Sequence, residues 1–356
     1  MADTIYSVDG GIVSTSANWM RQYRVRVYTH TADSPVITAS TQEDYNKQFS
    51  QTQTGDEILD VSKLRCKFEI KRHALYYPNQ AIITIYNLSA STETSIIEEG
   101  YRVIVEAGYN NTKSSNYGQI FDGTVIMCNR WKQSGTDYIL QILALDSSQF
   151  INEGYCSFTI ARGQTARAVV ENIAKKSGGA INDYYISPEF DEQKLTKGYI
   201  AQGSLKNTLS EIAKTYNGTW FVDNGKLYML AYADSSDDLP LGNQAVELSI
   251  KNGLIGNPKQ VNQGIEARCL LNPQIVPYGL IHISNELITE QLVNIGTYSE
   301  GITTPWLLDP HAIYRVISVT YTGDTRGNEW YTDITAVTQA GAVPEMLQQN
   351  VSYTLN

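Results

Sequence analysis

Residues 117–147, YGQIFDGTVIMCNRWKQSGTDYILQILALDS, are the stretch that decides the fold class of this chain. They predict two strands joined by a turn at Ser134 and Gly135. Apolar residues fill both alternating phases between residues 138 and 145, so we expect the second strand to be covered on both faces. Gly123 interrupts the first strand, which predicts a bulge or a close backbone approach. The stretch therefore indicates an antiparallel β hairpin.

Alternation of apolar and polar residues extends this β unit over residues 20–152. The cleanest case is residues 65–71, where Cys66, Phe68 and Ile70 share one face and charged residues occupy the other. This pattern is typical of a half-buried antiparallel strand. Further strands are expected at residues 22–28, 81–87 and 101–107, with a short helix over 89–100. The polar stretch at residues 31–56 predicts either an extended functional loop or disorder.

The periodicity changes near Ser157, where we expect a small α+β unit. Apolar residues spaced three and four apart predict one helix that begins after Thr165 and ends at Gly178-Gly179, and a second that begins at Ser204. Asn224-Gly225 predicts a tight hairpin, because both residues tolerate the positive φ of a type I′ turn.

Strand patterns return after residue 245, at 247–251, 264–271, 280–284, 313–322 and 330–337. The predicted fold is mainly β with an α+β insert. The expected organisation is an N-terminal arm at 1–19, a first β unit at 20–152, the α+β unit at 153–240, a second β unit at 241–338 and a C-terminal tail at 339–356.

Composition excludes several classes of protein. The formal net charge of −10, from 37 acidic and 27 basic residues, argues against a duplex DNA binder. The 24 tyrosines against 7 phenylalanines fit either a β-rich fold or extensive interfaces.

The cysteines are spaced too far apart for a metal knuckle or a redox pair, so we expect buried free thiols at Cys66, Cys128, Cys156 and Cys269. Without a signal peptide or a long apolar run, synthesis in a reducing cytoplasm is expected.

Catalytic motifs are missing from the sequence. It has no phosphate-binding loop, dinucleotide fingerprint, nucleophile elbow or HExxH pair. The four histidines are far apart, and a lone histidine near a strand is more often structural. The acidic stretch at 234–238, DSSDD, suggests a linker between units, and the alternative is a calcium-binding site. We therefore predict no catalytic, cofactor-binding or metal-ligating residue.

The order of four segments resembles the baseplate hub protein of contractile-tailed bacteriophages over residues 20–338. The segments are YPNQAIITIYNLS at 77–89, FTIARGQTARAVVENIAKKSG at 158–178, SLKNTLSEIAKTYNGTWFVDNGKLYML at 204–230 and YRVISVTYTGDTRGNEWYTDITAV at 314–337. The hairpin at 117–147 is similar to one in tail-tube-like barrels. The resemblance implies two tail-tube-like antiparallel β-barrels flanking a small α+β domain.

The same resemblance implies a structural role rather than an enzymatic one. It implies a homotrimer in the virion, assembled in the host cytoplasm, that adapts the sixfold tail tube to the threefold central spike. Expected partners are the tail tube, spike, baseplate wedge and tape-measure proteins, with DNA only passing through the lumen and no membrane insertion. The alternative is a tail-tip protein that binds or degrades cell wall.

Overall fold

The computed structural model describes residues 12–13, 20–29, 57–109, 116–133, 135–177, 181, 183–192, 194–231, 245–261, 264–289, 308 and 311–338. Several predictions fall outside these residues: the polar stretch at 31–56, the turn residue Ser134, the helix end at Gly178-Gly179, the acids at 234–238 and the tail at 339–356. Most of the N-terminal arm also lies outside them.

The first set of strands is antiparallel throughout, with the spatial order β3-β2-β6-β7-β8-β5-β4. Its members are β2 (Arg21–Thr29), β3 (Glu57–Asp60), β4 (Cys66–His73), β5 (Gln80–Tyr86), β6 (Gly100–Tyr109), β7 (Asn116–Lys132) and β8 (Tyr138–Leu145). Helix α1 (Ala90–Glu99) connects β5 to β6, and the Ser89 hydroxyl accepts a hydrogen bond from the Thr92 N–H at its start. This capping satisfies a backbone donor that the first helical turn leaves open.

The local predictions for this set are confirmed. Cys66, Phe68 and Ile70 are buried on the core side of β4. Beyond Tyr138, no residue of β8 is fully exposed, so both of its faces are covered in part. A Cβ atom on Gly123 would lie 2.8 Å from the Leu145 carbonyl oxygen, which is the predicted close backbone approach.

The middle part of the chain has its own buried apolar cluster, built from two small sheets and two main helices. Its elements are β9 (Tyr155–Ile160), α2 (Ala166–Lys176), β10 (Asp183–Ile186), α3 (Glu189–Glu192), β11 (Tyr199–Ser204), α4 (Leu205–Thr215), β12 (Gly218–Asp223) and β13 (Lys226–Ala231). Asn224 and Gly225 have φ values of 49° and 75°, as the predicted hairpin requires. Thr165 precedes α2 as predicted, but its hydroxyl donates to Asp191 instead of capping the helix.

A second set of strands follows, with the order β15-β16-β19-β18-β17-β14-β1. It comprises β1 (Ile12–Val13), β14 (Ala245–Glu247), β15 (Leu254–Val261), β16 (Gly264–Leu270), β17 (Leu280–His282), β18 (Ile313–Asp324) and β19 (Trp330–Thr338). The strand predicted at 247–251 is wrong, because β14 ends at Glu247 and a 3₁₀ turn follows. β15 was not predicted, since Gly256 and Pro258 interrupt it and Gly256 has a φ of 69°.

The two sets join into one 14-stranded sheet, because β4 at the edge of the first set pairs with the part of β18 that lies beyond its ladder with β17. Residues 318–324 of β18 pair with residues 67–73 of β4, and one apolar cluster contains residues of both sets. Among the described residues, no ladder joins β3 to β4 or β15 to β1. Neither set is therefore closed by hydrogen bonds in the part of the chain that the structure describes.

The two sets share one arrangement of strands. The order β2-β6-β7-β8-β5-β4 in the first corresponds to β14-β17-β18-β19-β16-β15 in the second, and the corresponding strands follow each other in the same order along the chain. One difference is that β14 pairs with β17 in parallel, whereas β2 and β6 are antiparallel. The sets are thus related as an internal structural repeat.

Candidate functional site

A buried polar cluster lies where the first set, the middle part and the second set meet. It begins at Arg72 of β4, which lies on the same core-facing side of the strand as Cys66, Phe68 and Ile70. Arg72 is only 2% exposed. A guanidinium on the core side of a strand must find partners within the protein, because an unpaired buried charge is costly.

Asp223, the last residue of β12, supplies the main partner of Arg72. The Arg72 Nε and Nη2 atoms donate to the two carboxylate oxygens of Asp223 at 2.9 and 2.6 Å. Arg72 Nη1 also donates to the Ile120 carbonyl at 3.3 Å and to the Tyr321 hydroxyl at 3.4 Å. The Tyr321 hydroxyl donates in turn to the Ile275 carbonyl. Burial alone would lower the pKa of Arg72, but the charge of Asp223 outweighs it and holds that pKa above its usual range.

Asp146, which directly follows β8, completes the cluster. Its carboxylate accepts a hydrogen bond from the Asn224 N–H at 2.6 Å and from the Ser147 hydroxyl at 2.8 Å. The Asn79 amide lies between the two acids, 3.0 Å from an Asp223 oxygen and 3.4 Å from an Asp146 oxygen. Burial and the nearby charge of Asp223 raise the pKa of Asp146 to about 7, against the two donors, which lower it.

A small apolar cluster joins the same three parts of the chain. It contains Ala74 and Leu75 after β4, Phe221 and Tyr228 of the middle hairpin, and Ile317 of β18. The Phe221 and Tyr228 rings are stacked with centroids 4.7 Å apart. The polar and apolar clusters together form what we call the three-part junction. Such a junction restricts the relative orientation of its parts, because its buried charges are satisfied in one arrangement.

This junction was not predicted from the sequence, although one signal was available. Arg72 lies two residues beyond Ile70 on the inward phase, and a charge in that phase indicates a buried ion pair. Of the histidines, His73 lies beside the junction with a lowered pKa caused by burial. His282 and His311 lie elsewhere in the second set, and His30 is outside the described residues.

The four cysteines are free thiols, as predicted, and all but the partly buried Cys128 are buried. Within the described ranges, no three side chains of histidine, cysteine, aspartate or glutamate are grouped so that they could hold a metal ion. The described helices include none that is both long and apolar enough to span a membrane. What the described residues bring together is a structural junction built from paired charges.

A comparison with protein families identifies the chain. The family model described as "Baseplate hub gp41" matches residues 48–289, which is more than half of the sequence. The chain belongs to this family. It is therefore a structural component of a bacteriophage tail baseplate, as the resemblance of its sequence segments implied.

Solved structures similar to this hub protein are distant in sequence. The 43 kDa tail protein of prophage MuSo2 from Shewanella oneidensis has 10% identity and a TM-score of 0.47, over 80% of this chain and 94% of that one. The tail protein from Neisseria meningitidis MC58 has 9% identity and a TM-score of 0.47, over 90% and 97%. The E. coli c3393 protein, a component of the type VI secretion system, has 10% identity and a TM-score of 0.46, over 79% and 76%. No curated protein matches the hub protein by sequence.

Proposed function

We propose that three copies of this hub protein form a ring that adapts the sixfold tail tube to the threefold central spike. The observation that carries the proposal is the internal repeat, in which two β sets with one strand order occur in each chain. Three chains with two sets each would present six similar β units, and a closed ring is the usual symmetry of such an oligomer. Each set would form a tail-tube-like barrel within that ring.

The three parts of the chain would then have different neighbours. Residues 20–152 and 241–338 would contact the tail tube protein, and residues 153–240 would lie on the spike side, where threefold symmetry is kept. Baseplate wedge and tape-measure proteins would complete the contacts. The three-part junction supports this division, because the Arg72–Asp223 pair holds the middle hairpin against the first set and the apolar cluster around Phe221 packs it against the second.

The ring would also form part of the channel through which DNA leaves the particle. The net charge of −10 suits a lumen that does not hold phosphates during ejection. In this role the protein carries out no chemistry on the cell wall, and it reaches the virion after assembly in the host cytoplasm.

Two measurements test the proposal. Native mass spectrometry at micromolar concentration should give a trimer, either of the hub protein alone or together with the spike protein. Electron cryo-microscopy of purified tails should then place the two β sets as similar units around one central channel. A chain that stays monomeric even with its spike partner, or β sets that do not surround a common channel, would overturn the symmetry-adaptor role.

The structural role is tested separately by enzymatic assay. Incubation with peptidoglycan should release no fragments above a buffer control. Release that disappears when one buried carboxylate is replaced would show that the protein degrades cell wall instead.

A further inference from the structure

The buried polar cluster of the three-part junction contains more acid than cation. Arg72 donates through two nitrogen atoms to the two oxygens of Asp223, at 2.9 and 2.6 Å, so one charge pair is complete. Asp146, beyond the Asn79 amide, is 4% exposed. Among the described residues, no cation forms an ion pair with it. Since a buried carboxylate without a cation is costly, the charge balance of the cluster favours a proton on Asp146.

The contacts of Asp146 can accommodate this proton. Its Oδ2 atom accepts from the Asn224 N–H at 2.6 Å, and its Oδ1 atom lies 2.8 Å from the Ser147 hydroxyl. A hydroxyl can donate or accept, so the Ser147 hydroxyl can turn and accept a proton held on Oδ1. Ser147 has a φ of 53°, which is strained for a residue other than glycine. The fold therefore keeps backbone strain where a partner for both protonation states contacts the carboxyl.

Asp146 lies on the contact between the first set and the β12–β13 hairpin. It directly follows β8, and its N–H donates to the Asn79 carbonyl at 2.9 Å, which ties it to the first set. Its side chain contacts the hairpin turn at the Asn224 N–H, and the Asn79 amide donates to the Val222 carbonyl at 3.4 Å. An ionised Asp146 gains hydration if this contact opens, whereas a protonated one gains little. The proton and the docking of the hairpin are thus coupled.

Asp146 is the group at this contact whose charge changes near neutral pH. Charged and titratable groups face the two acids from each strand packed around them: Arg72 and His73 of β4, Asp122 of β7, Lys226 and Tyr228 of β13 and Tyr321 of β18. Asp122 and Lys226 are held in ion pairs of their own. Burial lowers the pKa of His73 and raises the pKa values of both tyrosines, so all three are neutral at about pH 7.

We propose that Asp146 is a proton-dependent latch between the first set and the middle part. With its carboxyl protonated, the β12–β13 hairpin is docked on the first set, and with its carboxyl ionised, this contact opens. The latch lies within one chain and does not require the proposed ring. Within such a ring it would control how firmly residues 153–240 are held against the β sets.

The ratio of open to docked chains should rise with pH. A carboxyl exposed by opening has an ordinary pKa of 3.8, whereas burial and the charge of Asp223 raise the pKa of the docked Asp146 to about 7. Between these values each pH unit raises the ratio by up to about tenfold, and above about pH 8 the ratio is constant. From about pH 5 to about pH 7 the ratio should therefore rise about tenfold or more.

Hydrogen exchange of the full chain measures this opening. After correction for the pH dependence of exchange in free amides, residues 221–230 should lose protection about tenfold or more between about pH 5 and about pH 7, and the loss should level off above about pH 8. Low concentrations of urea should leave this exchange unchanged, because a local opening exposes little surface. Exchange through global unfolding would instead rise steeply with urea.

Two variants separate Asp146 from other acids. Asp146→Asn removes the titrating group and nearly keeps its shape, so exchange in residues 221–230 should no longer depend on pH after correction. At about pH 8 it should be about tenfold or more slower than in the wild type. The matched control Asp183→Asn removes an exposed carboxylate that pairs with Lys226 of the same hairpin, and it should keep the wild-type pH dependence.

Several outcomes would overturn the latch. Corrected exchange in the wild type that is independent of pH, or that rises with urea in step with global unfolding, would do so even if Asp146→Asn does not fold. A folded Asp146→Asn that keeps the pH dependence, or Asp183→Asn that loses it, would do so too. None of these results depends on whether the protein forms a trimer or occurs in purified tails, so the latch and the hub role fail separately.

Discussion

Replacing Asp146 by Asn tests whether the three-part junction contains a carboxyl group that titrates near neutral pH. Burial and the charge of Asp223 raise the pKa of Asp146 to about 7, from an ordinary value of 3.8. Between these two values the folded chain holds a proton that the unfolded chain has lost. The contribution of this group to stability is therefore fully present below about pH 4 and is lost as the pH rises through about 7.

The size of this loss follows from the shift. A raised pKa of about 3 units, at about 1.36 kcal/mol per unit, corresponds to on the order of 4 kcal/mol. Asparagine keeps an oxygen for the Asn224 N–H, and the Ser147 hydroxyl can turn to accept from the new amide. An asparagine at this position cannot ionise, so the variant should not lose stability in this way. The difference in free energy of unfolding, variant minus wild type, should therefore rise from about pH 4 and become constant above about pH 7.

Urea unfolding at a series of pH values measures the effect, with fluorescence of the buried Trp220 and Trp330 as the signal. Taking the difference between the two proteins at each pH cancels the groups that they share. As a control, Asp183→Asn changes an exposed carboxylate that pairs with Lys226, and it should alter stability by less than about 1 kcal/mol. Parallel stability curves for the wild type and Asp146→Asn would refute the raised pKa.

Three further predictions concern the fold. Arg72→Met should lower the free energy of unfolding by about 3–5 kcal/mol in urea, because it leaves the buried Asp223 carboxylate without its cation. As a control, Arg268→Met at an exposed ion pair should lower it by at most about 1 kcal/mol. Equal losses would contradict a stabilising role of the buried Arg72–Asp223 pair. Gly264→Ala should lower the melting temperature, since its Cβ would clash with the Ala336 carbonyl oxygen of the facing strand, and Gly135→Ala, with open space around it, should not. Iodoacetamide should modify Cys128 first, as the other three thiols are buried, and a disulfide in non-reducing mass spectrometry would disprove free thiols.

Local chemistry determined much of the secondary structure directly from the sequence. The alternation around Phe68 produced a half-buried strand, and the helical spacing after Thr165 produced α2. Asn224-Gly225 formed its hairpin because these residues tolerate positive φ. In each case the residues that decide the conformation are neighbours in the chain. β15 shows the limit of such rules, since Gly256 and Pro258 argue against a strand that pairing with β16 nevertheless forms.

Only the tertiary structure decided how the parts are joined. Arg72 and Asp223 are 151 residues apart, and Arg72 and Tyr321 are 249 apart, so no local pattern relates them. The pairing of β4 with β18 likewise joins the two sets. The alternating pattern of each strand would be met within its own set, so it does not predict this pairing. Alternation specifies that a strand has a buried face, but not which edge its backbone groups will meet. That choice depends on the packing of the whole chain.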